Sequence, residues 1–488
     1  MNMKCKQKQK HSAFLSIFKE QKSKQTIKDP LKIKRMYGIL QPTIFIVMYL
    51  MYFISYLGRK SLCVGFNGPK GAATLLNLPC YTYGILGMVY YAAYMSGKFL
   101  GGIIADRSNI RYTLPLSIGV SSIFSAGIAI AGCLNHANIL TSTGSVTMFM
   151  YITWGLAAFI QSLTFPMCAK ALVYWYSNKN RAYIWAWWST SHEIGSACSL
   201  LLSGFLLQYG DWKSVFIVPA LLGVSISIVA VFLLRDKPCT IGLPDVETYA
   251  GNAENNDNEC IIGNCESEDN RTYWEIFKTD VLKNKVLWIL SFTYISVYIL
   301  RAGTVDWIPK IFMESANIPP VMAALPVVFL SVCGTLGTLS IPFVSEKIFK
   351  GRRAPALVCY FMLVTVCLII FRLVFSFNGK AIIEVPEPFK TVLMFVLMGL
   401  SGVGIYGPQM MVGGIAAIET GSKRVSATIS GITGSIGYFG SIISSFFGVF
   451  AEHWGYQFLN DIWIISGIIG TLLMVSIWNV KADKDYSH

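Results

Sequence analysis

By length alone the 488 residues would make several soluble domains, but 54 % are hydrophobic and only 14 % charged. Apolar runs repeatedly reach the ~20 residues that cross a bilayer, which excludes that reading and predicts an all-α polytopic membrane protein. The formal charge of +14 does not point to nucleic acid, because the Lys and Arg residues fall in alternate loops, where they set topology.

In chain order, residues 1–39 are a polar, basic tail carrying Lys4, Lys6, Lys8, Lys10, Lys19, Lys22, Lys24, Lys28, Lys32, Lys34 and Arg35. No cleavable signal peptide is visible there, so the first span is expected to direct insertion itself. About twelve spans follow, at roughly 40–62, 82–105, 113–133, 146–174, 184–209, 213–235, 285–312, 319–345, 354–377, 390–418, 427–451 and 459–480. Further basic residues sit at Arg107/Arg111, Lys179/Arg181, Arg235/Lys237, Lys347/Lys350/Arg352/Arg353 and Lys423/Arg424. This alternation predicts both termini on the cytoplasmic side. Residues 236–284 are polar and acidic, and read as a flexible cytoplasmic linker between two six-helix halves, 40–235 and 285–480. A short tail, 481–488, closes the chain. The cysteines are scattered, with Cys260 and Cys265 the only close loop pair. Reduced thiols are expected, with no disulfide framework, metal site or cofactor.

The two halves share a signature. Tyr52-x3-Tyr56-x2-Arg59 recurs as Tyr294-x3-Tyr298-x2-Arg301, each within a long apolar stretch. Positions i, i+4 and i+7 lie on one helix face, so each copy aligns two phenols and a guanidinium. A charge near the bilayer centre costs at least ~2.5–3.5 kcal/mol, so such residues face a cavity or partner, unless they lie near a helix end and snorkel. Matched arginines in two halves predict a duplicated transporter with one anion site on its pseudo-symmetry axis. The planar forks match phosphate or carboxylate oxygens, and two of them balance a dianion, which fits a phosphate monoester better than a simple monocarboxylate. Lys98, one turn after Tyr94, adds a cation, and His192 is either a ligand or a structural hydrogen-bonder. Lys60 points about 100° away from Arg59 and is assigned to packing or the interface. Asp106 with Arg107 and Arg111, and Glu346 with the basic residues after it, suit a latch between rocking halves, or simple loop solvation.

Tyr52-Phe-Ile-Ser-Tyr56-Leu-Gly-Arg59-Lys60, Ser96-Gly-Lys98-Phe-Leu-Gly-Gly, Asp106-Arg-Ser-Asn, Phe165-Pro-Met-Cys-Ala-Lys170, Leu234-Arg-Asp-Lys-Pro, Gly242-Leu-Pro, Val297-Tyr-Ile-Leu-Arg301, Asp306-Trp307 and Ile405-Tyr-Gly-Pro408 together resemble the organophosphate:phosphate antiporters of the major facilitator superfamily. The resemblance spans nearly all of residues 40–480. It implies the major facilitator fold and exchange of glycerol-3-phosphate or a hexose phosphate for inorganic phosphate by alternating access, in a bacterial inner membrane. It also implies that Arg59 and Arg301 clamp the phosphate, while Lys98, His192, Tyr52, Tyr56, Tyr94, Tyr298, Tyr406 and Tyr438 line the cavity. Ser430-Gly-Ile-Thr433 lacks the Asp and Lys that hexose-phosphate carriers can place there, which leans toward the glycerol-phosphate pattern. Glu193 stands where the family commonly has Asn. It would offset one cation, carry a proton, or stay neutral and hydrogen-bonded. Some members of the family are membrane sensors that signal hexose phosphate to a partner kinase, which is the alternative reading. The chain shows no nucleophile-base motif or phosphate-cradling Gly loop, so an enzyme is not expected. The expected partners are the organophosphate, inorganic phosphate and the lipid bilayer, with no nucleic acid, and internal duplication lets a monomer suffice.

Overall fold

The computed structural model describes residues 23–66, 70–79, 81–250, 273–315, 320–375, 383, 386, 389–416, 426–454 and 457–480. Among these residues the fold is entirely helical. The N-terminal half contains α1 (Pro30–Phe66), α2 (Tyr81–Asp106), α3 (Ile110–Ser125), α4 (Gly127–His136), α5 (Thr143–Gln161), α6 (Thr164–Trp175), α7 (Asn178–Tyr209) and α8 (Ser214–Leu233). The C-terminal half contains α9 (Lys285–Ser315), α10 (Pro320–Phe343), α11 (Arg353–Val374), α12 (Phe389–Met410), α13 (Ser426–Trp454) and α14 (Gln457–Ser476).

These helices fall on the predicted spans, with two of the spans interrupted. The third divides at Ala126 into α3 and α4, and the fourth at Ser162–Leu163 into α5 and α6. Small residues let the pieces approach their neighbours: a Cβ on Gly223 would strike Ser122, and one on Gly127 would strike Thr153, so side chains there would force helices apart.

Nine helical stretches among the described residues are long and apolar enough to cross a membrane. Three other long helices, α2, α7 and α13, occupy predicted spans but are more polar. They carry Lys98, the His192–Glu193 pair and a Ser/Gly-rich run. Polar side chains within a span are costly unless they face partners, and these helices lie where the halves meet: α2 packs on α13, and α7 on α10. The Ser430–Gly437 run is a packing surface as expected, because a Cβ on Gly431 would come within 2.8 Å of the Lys98 carbonyl.

The stretch expected to be a loose linker begins folded. Tyr37 donates to the Pro244 carbonyl at 2.6 Å, and Trp175 Nε1 to the Asp236 carbonyl at 2.9 Å. Asp236 Oδ1 accepts from the Ile110 amide at 3.1 Å and caps α3. Gly242 takes φ +84° to turn the chain back, and Cys239, Leu243 and Val246 are buried. Polar composition concealed a segment that buries several of its few apolar residues. The acidic part of this stretch, 251–272 with Cys260 and Cys265, lies outside the described residues, as do most of the basic tail, Lys423 and Arg424.

Candidate functional site: an arginine clamp between the halves

Arg59 on α1 and Arg301 on α9 are 8 % and 5 % exposed. One ring joins them: the Arg59 guanidinium lies 5.1 Å from the Tyr56 centroid and that of Arg301 lies 5.8 Å from it. The repeat therefore brings both cations to a single point of the interface. Neither arginine forms an ion pair among the described residues. A buried guanidinium satisfied by phenols and π faces is available to an anion, because those contacts neutralise none of its charge.

Arg59 is the more enclosed. Tyr56, Tyr90, Tyr94 and Tyr438 lie 4.7–5.3 Å from it, and Tyr91 6.0 Å. Its Nη1 donates to Tyr56 at 3.2 Å and to Tyr438, in the other half, at 2.9 Å. Arg301 faces Tyr298 and Tyr406 at 5.8 and 5.5 Å. Lys98 is 2 % exposed, and its ammonium sits over Phe165 at 4.0 Å and Tyr438 at 5.2 Å. It reaches this position past Gly434, where any side chain would collide with it. Tyr52 stands behind the clamp, packed at a tilt against Trp188 at 4.7 Å and Tyr56 at 5.3 Å.

His192 lies 5.4 Å from Tyr56 and 6.2 Å from Tyr406, ring to ring. Its Nε2 meets Gln409 Nε2 at 2.8 Å, so the neutral ring accepts from the amide across the interface. Glu193 is fully buried, and its Oε1 accepts from Thr338 of α10, also across the interface. These four residues bind the halves together beside Arg301.

Contacts between the halves flank the arginines on both sides. Towards the end that carries the basic loops, Asp106 Oδ2 accepts from the Thr428 amide at 3.0 Å and hydroxyl at 2.7 Å. A carboxylate from one half thereby caps the first turn of α13 in the other, where a helix favours negative charge. Lys170 Nζ donates to the carbonyls of Ala105, Asp106 and Ser108 at 2.9–3.2 Å and fixes the C-terminus of α2 that presents Asp106. Glu346 lies 3.7 Å from Arg353. The hydrogen bond to Glu346, and then burial, push up the phenol of Tyr183 at the head of α7, which makes a second contact between halves. Arg111 turns elsewhere, donating to the Val231 carbonyl at 3.2 Å within its own half, and Arg107 is exposed.

Towards the opposite end, Lys60 Nζ meets Asp306 Oδ1 at 2.7 Å, and Tyr91 donates to Asp306 Oδ2. This corrects the assignment of Lys60 to packing or the interface: turning away from Arg59 directs it at an acid in the other half. The pair lines a cavity of about 60 Å³ with Arg59, Tyr83, Tyr90, Trp154 and Trp307. Sequence reasoning also missed Tyr90, Tyr91, Thr338 and Gln409. An acid inside a span, Asp306, was the available signal for the ion pair. Gln409 is uncharged and gave none beyond its place one turn after Tyr406.

Residues 48–445 match the family model described as Major Facilitator Superfamily. The chain is 30 % identical over 474 residues to a probable hexose phosphate transport protein of Chlamydia pneumoniae, covering 96 % of this chain and 98 % of that protein. It is 28 % identical to the glycerol-3-phosphate transporter of Bacillus subtilis, covering 95 % and 98 %. It is likewise 28 % identical to the membrane sensor protein UhpC of Salmonella typhimurium, covering 96 % and 99 %. Among solved structures, a bacterial homologue of the human lysosomal transporter Spinster superposes with a TM-score of 0.57 at 14 % identity, covering 90 % of this chain and 96 % of that one, a likeness of fold. The chain belongs to the Major Facilitator Superfamily, in its organophosphate:phosphate antiporter branch.

Proposed function

We propose that this protein is a secondary transporter that brings an organophosphate across the membrane in exchange for inorganic phosphate, by alternating access. The observation that carries the reading is the meeting of Arg59 and Arg301 at the Tyr56 ring, on the boundary between halves. Two fixed guanidiniums and Lys98 suit a phosphate dianion, held by bidentate charge-assisted bonds of about 1.5–3 kcal/mol each. Tyrosines cover the arginine planes and donate to remaining oxygens. Relatives named as hexose phosphate and glycerol-3-phosphate transporters, aligned over nearly their whole length, support the same reading.

The mechanism follows from charge. Without an anion the two arginines repel across the interface, and rocking carries them through a low-dielectric region unneutralised. Phosphate bridges them and removes that cost, so exchange is fast and empty return is slow. Asp106–Thr428 closes the basic-loop end and Lys60–Asp306 the other, and each opens in turn. Glu346 belongs with the first closure, and Arg107 and Arg111 flank it. The basic-loop side is assigned to the cytoplasm of a bacterial inner membrane, with both termini there, and a monomer suffices for transport.

The test uses purified protein in liposomes preloaded with labelled phosphate. External glycerol-3-phosphate or glucose-6-phosphate is expected to trigger efflux, and efflux with neither would remove the reading. The similarity to the sensor UhpC over 96 % of the chain favours one alternative, a hexose-phosphate sensor. That alternative predicts ligand-induced thermal stabilisation with little flux.

A further inference from the structure

A phosphate clamp does not identify the rest of the substrate. Arg59, Arg301 and Lys98 are donors only, so they cannot satisfy the hydrogens of hydroxyl groups on the organic half. On the Arg59 side the Asp306 oxygens are taken by Lys60 and Tyr91, whereas two acceptors on the Arg301 side have no partner. Glu193 is fully buried with Oε1 taken by Thr338, and its Oε2 has no hydrogen bond of normal geometry, the neighbouring Thr335 hydroxyl donating to the Ser331 carbonyl at 3.3 Å instead. Gln409 is 6 % exposed, and its Oε1 has no partner while its nitrogen faces His192. Whichever way that amide is turned, one of its two polar atoms is left for something other than protein. Tyr406 lies one turn before Gln409 on the same face of α12 and covers Arg301 at 5.5 Å. The Thr338 hydroxyl that binds Glu193 also lies 3.4 Å from the Tyr406 carbonyl.

Buried polar atoms are nearly always paired, so unmet acceptors gathered beside a binding arginine indicate a ligand. The groups facing Glu193 decide which kind. Helix α10 offers the Thr338 and Thr335 hydroxyls, α12 the Tyr406 ring, α9 the Arg301 charge and α7 the neighbouring His192. Of these only Arg301 bears a fixed positive charge, and the phosphate engages it. A second negative charge on the organic half would therefore meet the Glu193 carboxyl without compensation. A neutral half rich in hydroxyls would find two acceptors.

We propose that Glu193 and Gln409, oriented by Thr338 and His192, form a hydroxyl-reading subsite beside Arg301 that selects a neutral polyol phosphate, of the hexose phosphate type, over an acidic phosphate ester. This deepens the transporter reading and rests on the same clamp. It also departs from the glycerol-phosphate leaning that Ser430–Thr433 suggested, because a longer polyol can use both acceptors. Glu193 and Gln409 are specificity residues here, each offering an oxygen to a substrate hydroxyl.

The experiment compares glucose-6-phosphate, glycerol-3-phosphate and 3-phosphoglycerate in two assays on full-length protein. One is competition against labelled phosphate exchange in liposomes, and the other is ligand-induced thermal stabilisation in detergent. Wild type is expected to prefer glucose-6-phosphate over 3-phosphoglycerate at least tenfold. Glu193→Gln should narrow that preference about tenfold by admitting the acid, and Gln409→Leu should lower the preference for glucose-6-phosphate over inorganic phosphate by a similar factor. A wild type that takes 3-phosphoglycerate as well as glucose-6-phosphate overturns the proposal whether or not the variants fold. So do variants with unchanged preferences, or a Glu193→Gln effect that only shifts the pH profile of every substrate alike, which marks a proton carrier. Selective stabilisation without exchange would sink the transport reading and leave the subsite standing.

Discussion

Arg59 and Arg301 hold equivalent places in a repeated segment, yet their surroundings have diverged. Four tyrosine rings lie within 5.3 Å of Arg59, and it donates to two of their hydroxyls. Arg301 has looser aromatic cover at 5.5–5.8 Å and neutral or acidic hydrogen-bonding groups beyond it. A clamp that is symmetric in charge can hold only the symmetric end of a substrate, its phosphate. In the proposed reading, one phosphate ester is told from another by the asymmetric surroundings on the Arg301 side.

The largest expected effect tests the symmetric part. Arg59→Lys and Arg301→Lys each keep the charge and lose the fork, and one charge-assisted bond is worth about 1.5–3 kcal/mol. Each variant should exchange phosphate about a hundredfold more slowly in liposomes. The comparison sharpens if Arg301→Lys also reorders the organophosphates while Arg59→Lys weakens them in parallel. Near-normal exchange by both variants would break it, since the clamp would then not be made of these arginines.

A second contrast lies between the closures. Lys60–Asp306 is a direct ion pair, with side chains 11 % and 18 % exposed, and removing one partner leaves a charge largely out of water. Such removals cost about 3–5 kcal/mol when burial is complete and less with partial exposure. Lys60→Met is expected to slow exchange about tenfold, and Lys60→Met with Asp306→Leu should recover much of the loss. No recovery in that double-variant cycle would mean that Lys60 acts on the substrate instead of the closure. Asp106→Asn should do less, about threefold, because an Asn caps a helix nearly as well as Asp. A larger loss at Asp106 than at Lys60 would reverse the ranking of the two closures.

The fold was legible because apolar runs of membrane length leave few alternatives, and even the more polar helices α2, α7 and α13 kept that length. The clamp was legible because Arg59 and Arg301 repeat with their tyrosines at the same spacing. What stayed hidden depended on pairing between distant segments. Lys60 looks like a neighbour of Arg59 until Asp306, 246 residues away, is seen opposite it. Gln409 carries no charge to draw notice, and Thr338 is one hydroxyl in an apolar helix. The folded 236–250 stretch was hidden for a related reason: Pro238, Gly242 and Pro244 interrupt it, and its buried Cys239, Leu243 and Val246 pack only because α1 and α6 supply a surface.

The smallest expected effect tests how Lys98 joins the clamp. Gly431 and Gly434 lie one turn apart on α13, and both face α2 around Lys98, but they meet different atoms. A Cβ at Gly431 would come within 2.8 Å of the Lys98 carbonyl and 3.0 Å of Gly102 Cα, whereas at Gly434 it would meet the Lys98 side-chain end. Backbone cannot yield without moving a helix, so Gly431→Ala should lower thermal stability in the manner of an overpacked core, by about 1–3 kcal/mol. The flexible end of a lysine can swing aside, so Gly434→Ala should cost little stability. It would displace the ammonium from between Phe165 and Tyr438, and the expected result is an apparent phosphate affinity about threefold weaker with a melting temperature close to wild type. Unchanged affinity would mean that the ammonium does not act on the anion from this position, and the clamp would then consist of the two arginines alone.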